Sequence, residues 1–123
     1  MSKTDFTNFL SRIYPFDNLP RTQIEKCSDN LEIVDFKKDT IIQKEEEEPK
    51  NLYFIVKGLI QEKSENVISC VYSENEFFDP LSLIENYSKS TFIAIEETTC
   101  YVMSRDFFIK MLHQNKVIES YFF

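Results

Sequence analysis

The spacing of apolar residues changes from a helical period to a strand period near residue 30. From Thr4 to Tyr14 apolar residues recur every three or four positions, which predicts a helix capped by Thr4 and ended by Pro15. Pro20 suits the first turn of a second helix, which we expect to end near Asp29–Asn30. The segment 3–30 is therefore predicted to be a helical lead-in.

Short apolar runs with a period of two, separated by turn signals, follow in the segment 31–103. The first has Leu31, Ile33 and Phe36 as its apolar positions, and the later runs cover 40–42, 52–56, 59–62, 67–73, 91–96 and 99–103. Glu45–Pro49 is expected to form a loop or a sheet edge. Strands at this spacing predict a small β-barrel or a double-sheet roll.

Gly58 is the only glycine of the chain, and it stands between the apolar runs 52–56 and 59–62. A lone glycine at such a position indicates a tight turn or bulge that requires a positive φ. The local pattern by itself predicts a β-hairpin around Gly58.

The segment 104–123 is predicted to be helical. Ser104 is a suitable N-cap, and the inner side of the helix is expected to carry Phe107, Phe108, Met111 and Leu112. The apolar face of Ile118, Tyr121 and Phe122 is interpreted as an output or dimer surface. The aromatic end of the segment suggests that the chain continues into a longer protein.

The composition narrows the possible classes of protein. With 123 residues and a net charge of −7, the chain is expected to be one domain, residues 1–123, that does not grip nucleic acid or anionic lipid. It has no apolar run long enough for a membrane helix and no signal-peptide core. Cys27, Cys70 and Cys100 lie in apolar runs and are expected to be buried, reduced thiols, which favours a cytoplasmic location.

Few residues favour catalysis. His113 is the only histidine and lacks partners at metal-ligand spacing, so a surface or half-buried role is favoured. Glu45–Glu48 is interpreted as a solvated loop rather than a cation site. These observations predict a protein that is not an enzyme and has no metal or cofactor. A cupin-like metalloenzyme is the alternative on a similar roll, and the single histidine argues against it.

One segment combines a strand end, a short helix and a returning loop. Asp79 as N-cap and Pro80 at the first helical position predict a helix start after Phe78. The first turn of such a helix has free backbone N–H groups, which attract anions. Ser88 or Lys89, on the returning loop, is expected to face that position.

The order of these pieces resembles the cyclic-nucleotide-binding domain family, which includes the catabolite activator protein and the regulatory subunits of cAMP-dependent kinase. The resemblance depends on the helical lead-in, the run from Leu52 to Gly58, the Phe78–Leu83 segment, and the Ser104-Arg-Asp-Phe-Phe helix. It implies a mainly β fold with flanking helices, a jelly-roll-like double-stranded β-helix of eight strands. It also implies a phosphate-binding cassette.

The cassette departs from the family pattern Phe-Gly-Glu-Leu-Ala-Leu. Asp79 stands at the glycine position, Pro80 at the glutamate position, and Ser88 or Lys89 at the arginine position. A carboxylate about 4 Å from a phosphate costs roughly 4 kcal/mol at an effective dielectric near 20. We therefore expect Asp79 to cap its own helix, pair with Lys89 and hold the cassette without a nucleotide. The residues that the resemblance assigns to this degenerate site are Phe78, Asp79, Pro80, Leu81, Ser82, Leu83, Ser88, Lys89, Ser90 and Thr91.

A narrower resemblance points to bacterial signalling proteins in which this module precedes CBS domains and a nucleotidyltransferase-like domain. It depends on Phe78-Asp79, on Glu96-Glu-Thr98 and on the Ser104 helix. The implied function is a regulatory domain that senses a small nucleotide or relays a signal to domains beyond Phe123. The alternative is a ligand-free structural or dimerisation domain, with a homodimer formed through the C-terminal helices.

Overall fold

Two antiparallel sheets flanked by helices form the fold in the computed structural model, which describes residues 3–122. The helices are α1 (Lys3–Leu10), α2 (Arg21–Asp29), α3 (Pro80–Glu85), α4 (Arg105–Gln114) and α5 (Lys116–Glu119), with a 3-10 turn at Phe16–Asn18. The strands are β1 (Leu31–Phe36), β2 (Ile41–Gln43), β3 (Asn51–Lys57), β4 (Ile60–Ser64), β5 (Val67–Tyr72), β6 (Thr91–Ala94) and β7 (Thr98–Ser104).

The strand order identifies the fold as a roll. One sheet has the order β1-β7-β3, and the other has the order β2-β6-β4-β5. This arrangement confirms the predicted fold class, mainly β with flanking helices. Residues 3–122 contain seven strands rather than the implied eight, and an isolated antiparallel bridge joins Phe54 and Phe77.

Gly58 connects the two sheets. The predicted positive φ is confirmed at +113°, but the predicted hairpin is wrong, because β3 pairs with β7 whereas β4 pairs with β5 and β6. A Cβ atom at Gly58 would lie 2.6 Å from Thr98 Cα and 2.7 Å from Glu97 O. The chain therefore needs glycine here both for backbone conformation and for close approach to β7.

The buried side chains form two clusters on opposite faces of the β1-β7-β3 sheet. The larger cluster packs the helices against that sheet and includes Phe16, Phe54, Tyr101 and Phe108. The smaller cluster fills the space between the sheets and is built on Tyr53, Phe78, Phe92 and Cys100. The alternation along β3 and β7 produces this division, because successive residues of a strand face opposite sides.

The apolar residues of strand β1 do not all face the interior in the way that the sequence pattern predicted. Leu31 belongs to the helix-side cluster, whereas Val34 and Phe36 pack on the cluster between the sheets. Leu31 and Phe36 therefore face opposite sides, as their odd spacing requires. Ile33 shares the face of Leu31 but remains 43% exposed, so it is not the inward position that the pattern predicted.

Two further expectations are wrong, one about the bounds of α1 and one about the burial of a cysteine. Thr4 lies inside α1 rather than capping it, and α1 ends at Leu10 instead of near Tyr14. Cys27 and Cys100 are buried as predicted, but Cys70 is exposed because it lies on the outermost strand β5.

The C-terminal segment is folded back onto the core. Ser104 caps α4 as predicted, since its Oγ accepts a hydrogen bond of 3.2 Å from Phe107 N. Ile118 is only 1% exposed, and Phe122 packs against Phe16, Phe77 and Phe108. Of the three residues expected to form an open output face, Ile118 is therefore buried, Phe122 is half-buried and only Tyr121 is exposed.

Candidate functional site

Helix α3 begins at an unusual backbone conformation. Asp79 occupies the N-cap position with φ 55° and ψ 48°, in the left-handed region, and Pro80 follows as the first helical residue. Regular N-caps lie in the β region, which aims the side chain at the amides of the first turn. Asp79 lacks the regular capping hydrogen bond, although its carboxyl stays close enough to Ser82, the third helical residue, for Ser82 to lower its pKa.

Gln43 instead connects Asp79 to the returning loop. Gln43 Nε2 lies 3.0 Å from Asp79 Oδ2 and 3.0 Å from Ser88 Oγ, and it donates to both oxygens. The Ser88 hydroxyl then donates to the carbonyl of Ser90 over 2.7 Å. We call this group, Gln43, Asp79, Ser88 and Ser90, the polar bridge. It connects the end of β2 to both ends of the cassette.

Backbone hydrogen bonds strengthen the same connection. Glu46 N donates to Ser88 O at 2.7 Å, and Ser88 N donates to Glu47 O at 3.0 Å. Thr91 Oγ1 accepts a hydrogen bond of 3.0 Å from Glu45 N. The loop that follows β2 therefore pairs with the cassette loop along its length, and Ser88 is completely buried.

The carboxyl group of Asp79 sits in an environment that disfavours its charge. Burial raises its pKa above the ordinary 3.8, and the negative charge of Glu62 acts in the same direction. Ser82 and the amide of Gln43 lower the pKa but do not cancel the effect of burial. The polar bridge therefore holds a carboxyl group whose negative charge is only partly stabilised by its hydrogen-bond donors.

Lys89 does not take part in the polar bridge. Its side chain is 72% exposed, and its Nζ lies 3.7 Å from Glu85 Oε2 in a surface ion pair. The expected pairing of Lys89 with Asp79 is therefore wrong. Ser88 and Ser90 on either side of Lys89 are buried, whereas the Lys89 side chain remains in solvent, where its charge is hydrated.

The remaining predicted residues divide between the interior and the surface. Phe78, Ser82 and Leu83 are buried, whereas Leu81 is 51% exposed on the outer side of α3. The predicted site residues that come together with Gln43 are thus Asp79, Ser88 and Ser90, whereas Leu81 and Lys89 point away from them.

Aromatic rings cover the inner side of the cassette. Phe78 stacks on Phe92 with a centroid distance of 4.4 Å and on Tyr53 at 5.6 Å with nearly parallel planes. Tyr72 of β5 lies 5.7 Å from Phe78, and its hydroxyl donates to Glu62 Oε1 at 2.7 Å. The ring of Phe78 and the aromatic rings around it therefore fill the space between the cassette and strands β5 and β6.

Two residues that matter here were not identified from the sequence. Gln43 follows Ile41 and Ile42 and looks like the polar end of a strand, yet it is only 8% exposed. Arg105 donates from Nε to the carbonyl of Leu83 at 2.7 Å and so connects α4 to α3. The sequence signal for Arg105 is its position directly after the predicted N-cap Ser104, which places it in the first turn of α4.

The described residues form no metal centre. Within residues 3–122 no group of three or more His, Cys, Asp or Glu side chains could hold a metal ion. His113 is exposed, 3.7 Å from Glu119 Oε2. None of the helices in the same range has the length and apolar character needed to span a membrane.

Comparison with known proteins agrees with this architecture. The family described as "Cyclic nucleotide-binding domain" matches residues 33–115. The regulatory domain of Toxoplasma gondii PKA with cAMP is similar at 20% identity and a TM-score of 0.83, over 89% of this chain and 45% of that one. The sensor domain of the transcriptional regulator DNR from Pseudomonas aeruginosa has 14% identity and a TM-score of 0.88, over 98% and 85%.

A third similar structure comes from a kinase described as cAMP-independent. The regulatory subunit of the Trypanosoma cruzi kinase bound to guanosine has 17% identity and a TM-score of 0.82, over 97% of this chain and 47% of that one. The chain thus spans less than half the length of the two kinase chains, and curated proteins yielded no match. With the family match covering two thirds of its residues, the chain belongs to the cyclic nucleotide-binding domain family, a family of regulatory modules.

Proposed function

We propose that this chain is a non-enzymatic regulatory domain whose degenerate cassette does not bind cAMP or cGMP tightly. The observation that carries the proposal is the polar bridge, in which Gln43 Nε2 contacts Asp79 Oδ2 and Ser88 Oγ, each at 3.0 Å. We infer that this internal carboxylate and internal amide take the place of a ligand phosphate and its partner.

The charges around the cassette support the same proposal. Asp79 adds negative charge, and Pro80 supplies neither a backbone N–H nor a carboxylate for a ribose hydroxyl. Lys89, the cation that the resemblance assigns to this site, points to solvent and pairs with Glu85. An incoming phosphate would therefore be repelled by Asp79 and would find no arginine guanidinium to bind it with two parallel hydrogen bonds.

The output of the domain is proposed to pass through α4. Arg105 Nε holds the carbonyl of Leu83 at 2.7 Å, so a shift of α3 would pull on the first turn of α4. We propose that the signal continues to domains that follow Phe123, in a bacterial, cytoplasmic protein of the kind that also carries CBS domains. The trypanosome kinase subunit, described as cAMP-independent, supports the idea that this fold serves regulation without cAMP.

The first test measures ligand binding through its effect on the thermal unfolding of the wild-type chain and of Asp79→Gly. A ligand at one hundred times its Kd stabilises a protein by about 2.7 kcal/mol, which a melting curve resolves easily. We expect millimolar cAMP or cGMP to leave the wild type unchanged. Asp79→Gly should bind inorganic phosphate at least about tenfold more tightly than the wild type, a difference of about 1.4 kcal/mol.

The matched control is Lys89→Ala, which changes a charged residue of the cassette loop that points to solvent. This variant should bind phosphate and cAMP no differently from the wild type. Tight binding of cAMP by the wild type would contradict the proposal. Equal phosphate binding by the wild type and Asp79→Gly would show that the carboxylate does not guard the site.

A ligand-free structural or dimerisation domain is the second candidate function. The observation that favours it is the aromatic filling around Phe78, which stacks on Phe92 and Tyr53. A panel of cAMP, cGMP, cyclic dinucleotides, ATP and AMP separates the two candidates. A shift of the wild type with ATP, AMP or a cyclic dinucleotide keeps the proposed sensor function, whereas a shift with cAMP or cGMP keeps a sensor but contradicts the degenerate cassette. No shift in either the wild type or Asp79→Gly favours the structural function. A homodimer through the C-terminal helices would use Val117 and Tyr121, the apolar residues still exposed there.

A further inference from the structure

A cavity of about 380 Å³ lies between β2, the loop that follows β2 and the start of β3. Small-molecule sites in proteins typically have volumes of about 300–1,000 Å³, so this cavity is large enough for a small ligand. Gln43 is the one member of the polar bridge that lines it. The cavity is therefore separate from the cassette, although one side chain belongs to both.

Charged side chains of both signs line this cavity. Lys44 and Lys50 contribute two positive charges, and Glu47 and Glu48 contribute two negative charges. All four residues are exposed, and none of them forms an ion pair with any residue of the described range 3–122. Two charges of each sign thus surround the same space without pairing with one another, and all four are available to a ligand.

The cavity also has a hydrogen-bond donor that is largely buried. Tyr53 lines it and is only 8% exposed, and the hydroxyl oxygen of Tyr53 accepts a hydrogen bond of 3.4 Å from Asn51 Nδ2. In the part of the chain that the structure describes, the hydroxyl proton itself has no acceptor. Burial raises the pKa of this phenol, so the hydroxyl remains protonated at neutral pH. An oxygen atom of a ligand can therefore accept from Tyr53.

Part of the cavity wall is apolar. It includes Pro49, which is buried, Ile42, which packs on the cluster between the sheets, and Ile41, which is 54% exposed. A hydrocarbon group that enters the cavity removes some of this surface from water, which favours binding.

We propose that this cavity binds a free α-amino acid with an apolar side chain. The carboxylate of the amino acid pairs with Lys44 and Lys50 and accepts a hydrogen bond from Tyr53. Its ammonium group pairs with Glu47 and Glu48, and its side chain packs on the apolar part of the wall. A phosphate dianion matches the two lysines but is repelled by the two glutamates, whereas an amino acid carries one charge of each sign.

A ligand in this cavity contacts residues that hold both the cassette and the output helix. Gln43 lines the cavity and donates to Asp79 and Ser88. Lys50 lines it as well, and the carbonyl of Lys50 accepts a hydrogen bond of 2.9 Å from Arg105 N at the start of α4. The relay to α4 rests on the proposed function, whereas binding of the amino acid does not.

The experiment is calorimetric titration of the whole chain with L-leucine and with L-phenylalanine as probes. At least one of them should bind with a Kd of about 1 mM or tighter. Two analogues of L-leucine test the two charges, because 4-methylpentanoate lacks the ammonium group and 3-methylbutylamine lacks the carboxylate. Each analogue should bind at least about tenfold more weakly than the complete amino acid, since one set of charge-assisted hydrogen bonds is lost.

Two variants place the ligand in this cavity. The double variant Lys44→Gln, Lys50→Gln removes the charges that pair with the carboxylate and should weaken amino acid binding by at least about tenfold. Tyr53→Phe removes the hydroxyl but keeps the ring, and it should weaken binding by about threefold or more. The matched control is Lys110→Gln, which removes the charge of an exposed lysine on α4 that does not line the cavity, and it should bind like the wild type. Circular dichroism of each variant checks that the fold is intact.

Three outcomes overturn the proposal. The first is that neither amino acid binds. The second is that either analogue binds as tightly as L-leucine, because the site would then recognise only one charge. The third is that the double lysine variant binds as well as the wild type, because the amino acid would then lie elsewhere. None of these outcomes depends on cAMP or cGMP, so this proposal and the proposed function can fail separately.

Discussion

Gln43 and Asp79 lie 36 positions apart in sequence, and Gln43 Nε2 donates a hydrogen bond of 3.0 Å to Asp79 Oδ2. The same nitrogen donates to Ser88 Oγ, so one side chain connects three segments of the roll. A buried amide in this position stabilises the cassette only while both acceptors remain in place. Gln43 is therefore the most informative residue to change.

Gln43→Ala should lower the free energy of unfolding by about 1 to 3 kcal/mol, because it removes a donor from the part-buried Asp79 carboxylate and from the buried Ser88 hydroxyl. Urea unfolding followed by circular dichroism measures this change. Gln114→Ala, at an exposed position near the end of α4, is the control and should change the free energy by less than about 0.5 kcal/mol. Equal effects of the two substitutions would mean that the polar bridge does not stabilise the roll.

Stability around Asp79 should depend on pH in a defined direction. Burial raises the pKa of this carboxyl above 3.8 in the folded state, so the folded chain binds this proton more tightly than the unfolded chain. The resulting stabilisation is complete below pH 3.8 and is lost as the pH rises through the folded pKa. Asp79→Asn has no proton to lose, so its free energy of unfolding relative to the wild type should increase over this interval. Urea titrations at several pH values test this, and a constant or shrinking difference would contradict it.

Gly58→Ala should be among the most destabilising single substitutions in the chain. The added Cβ meets the Cα of Thr98 and the carbonyl of Glu97, which are backbone atoms, and φ is +113°. We expect a loss of at least about 3 kcal/mol in the free energy of unfolding, or a failure to accumulate folded protein. Lys57→Ala, at the exposed neighbouring position, should be nearly neutral. A folded Gly58→Ala chain with unchanged stability would show that the backbone at Gly58 does not approach Thr98 and Glu97 as closely as described.

The three cysteines should react in two classes. Cys70 is exposed, whereas Cys27 and Cys100 are buried and burial raises the pKa of each thiol to about 12. A thiol reagent should therefore modify one cysteine per folded chain and three after unfolding in denaturant. Cys70→Ser should abolish the reaction of the folded chain. Rapid modification of two or three thiols in the native protein would contradict the burial of Cys27 and Cys100.

The sequence predicted most elements of this fold because their signals are local. Pro20, Ser104 and the apolar runs of β3 and β7 are signals confined to a few residues each, and the structure agrees with the elements they mark. The pairing of strands is not local. Gly58 looked like a hairpin turn because its neighbours in sequence are strands, but β3 finds its partner in β7, more than forty residues later.

The candidate site was predicted only in part for a similar reason. Asp79 and Ser88 were expected near one another, but Lys89 was expected to supply the partner because opposite charges attract. The structure uses the neutral amide of Gln43 instead. Burial decides between these two, because a lysine on a surface loop gains more from water than from a part-buried carboxylate. No pattern around Ile41-Ile42-Gln43 indicates that the third residue is the buried one.

The position of Tyr72 has a spectroscopic consequence. The chain contains no tryptophan, so its intrinsic fluorescence comes from six tyrosines. Tyr72 donates its hydroxyl proton to Glu62 and packs on Phe78, the residue before Asp79. A tyrosine bonded to a carboxylate emits weakly, and its emission rises when that bond is broken. Any displacement of the cassette that moves Phe78 should therefore change the brightness of Tyr72, which allows the state of the site to be followed without an added label.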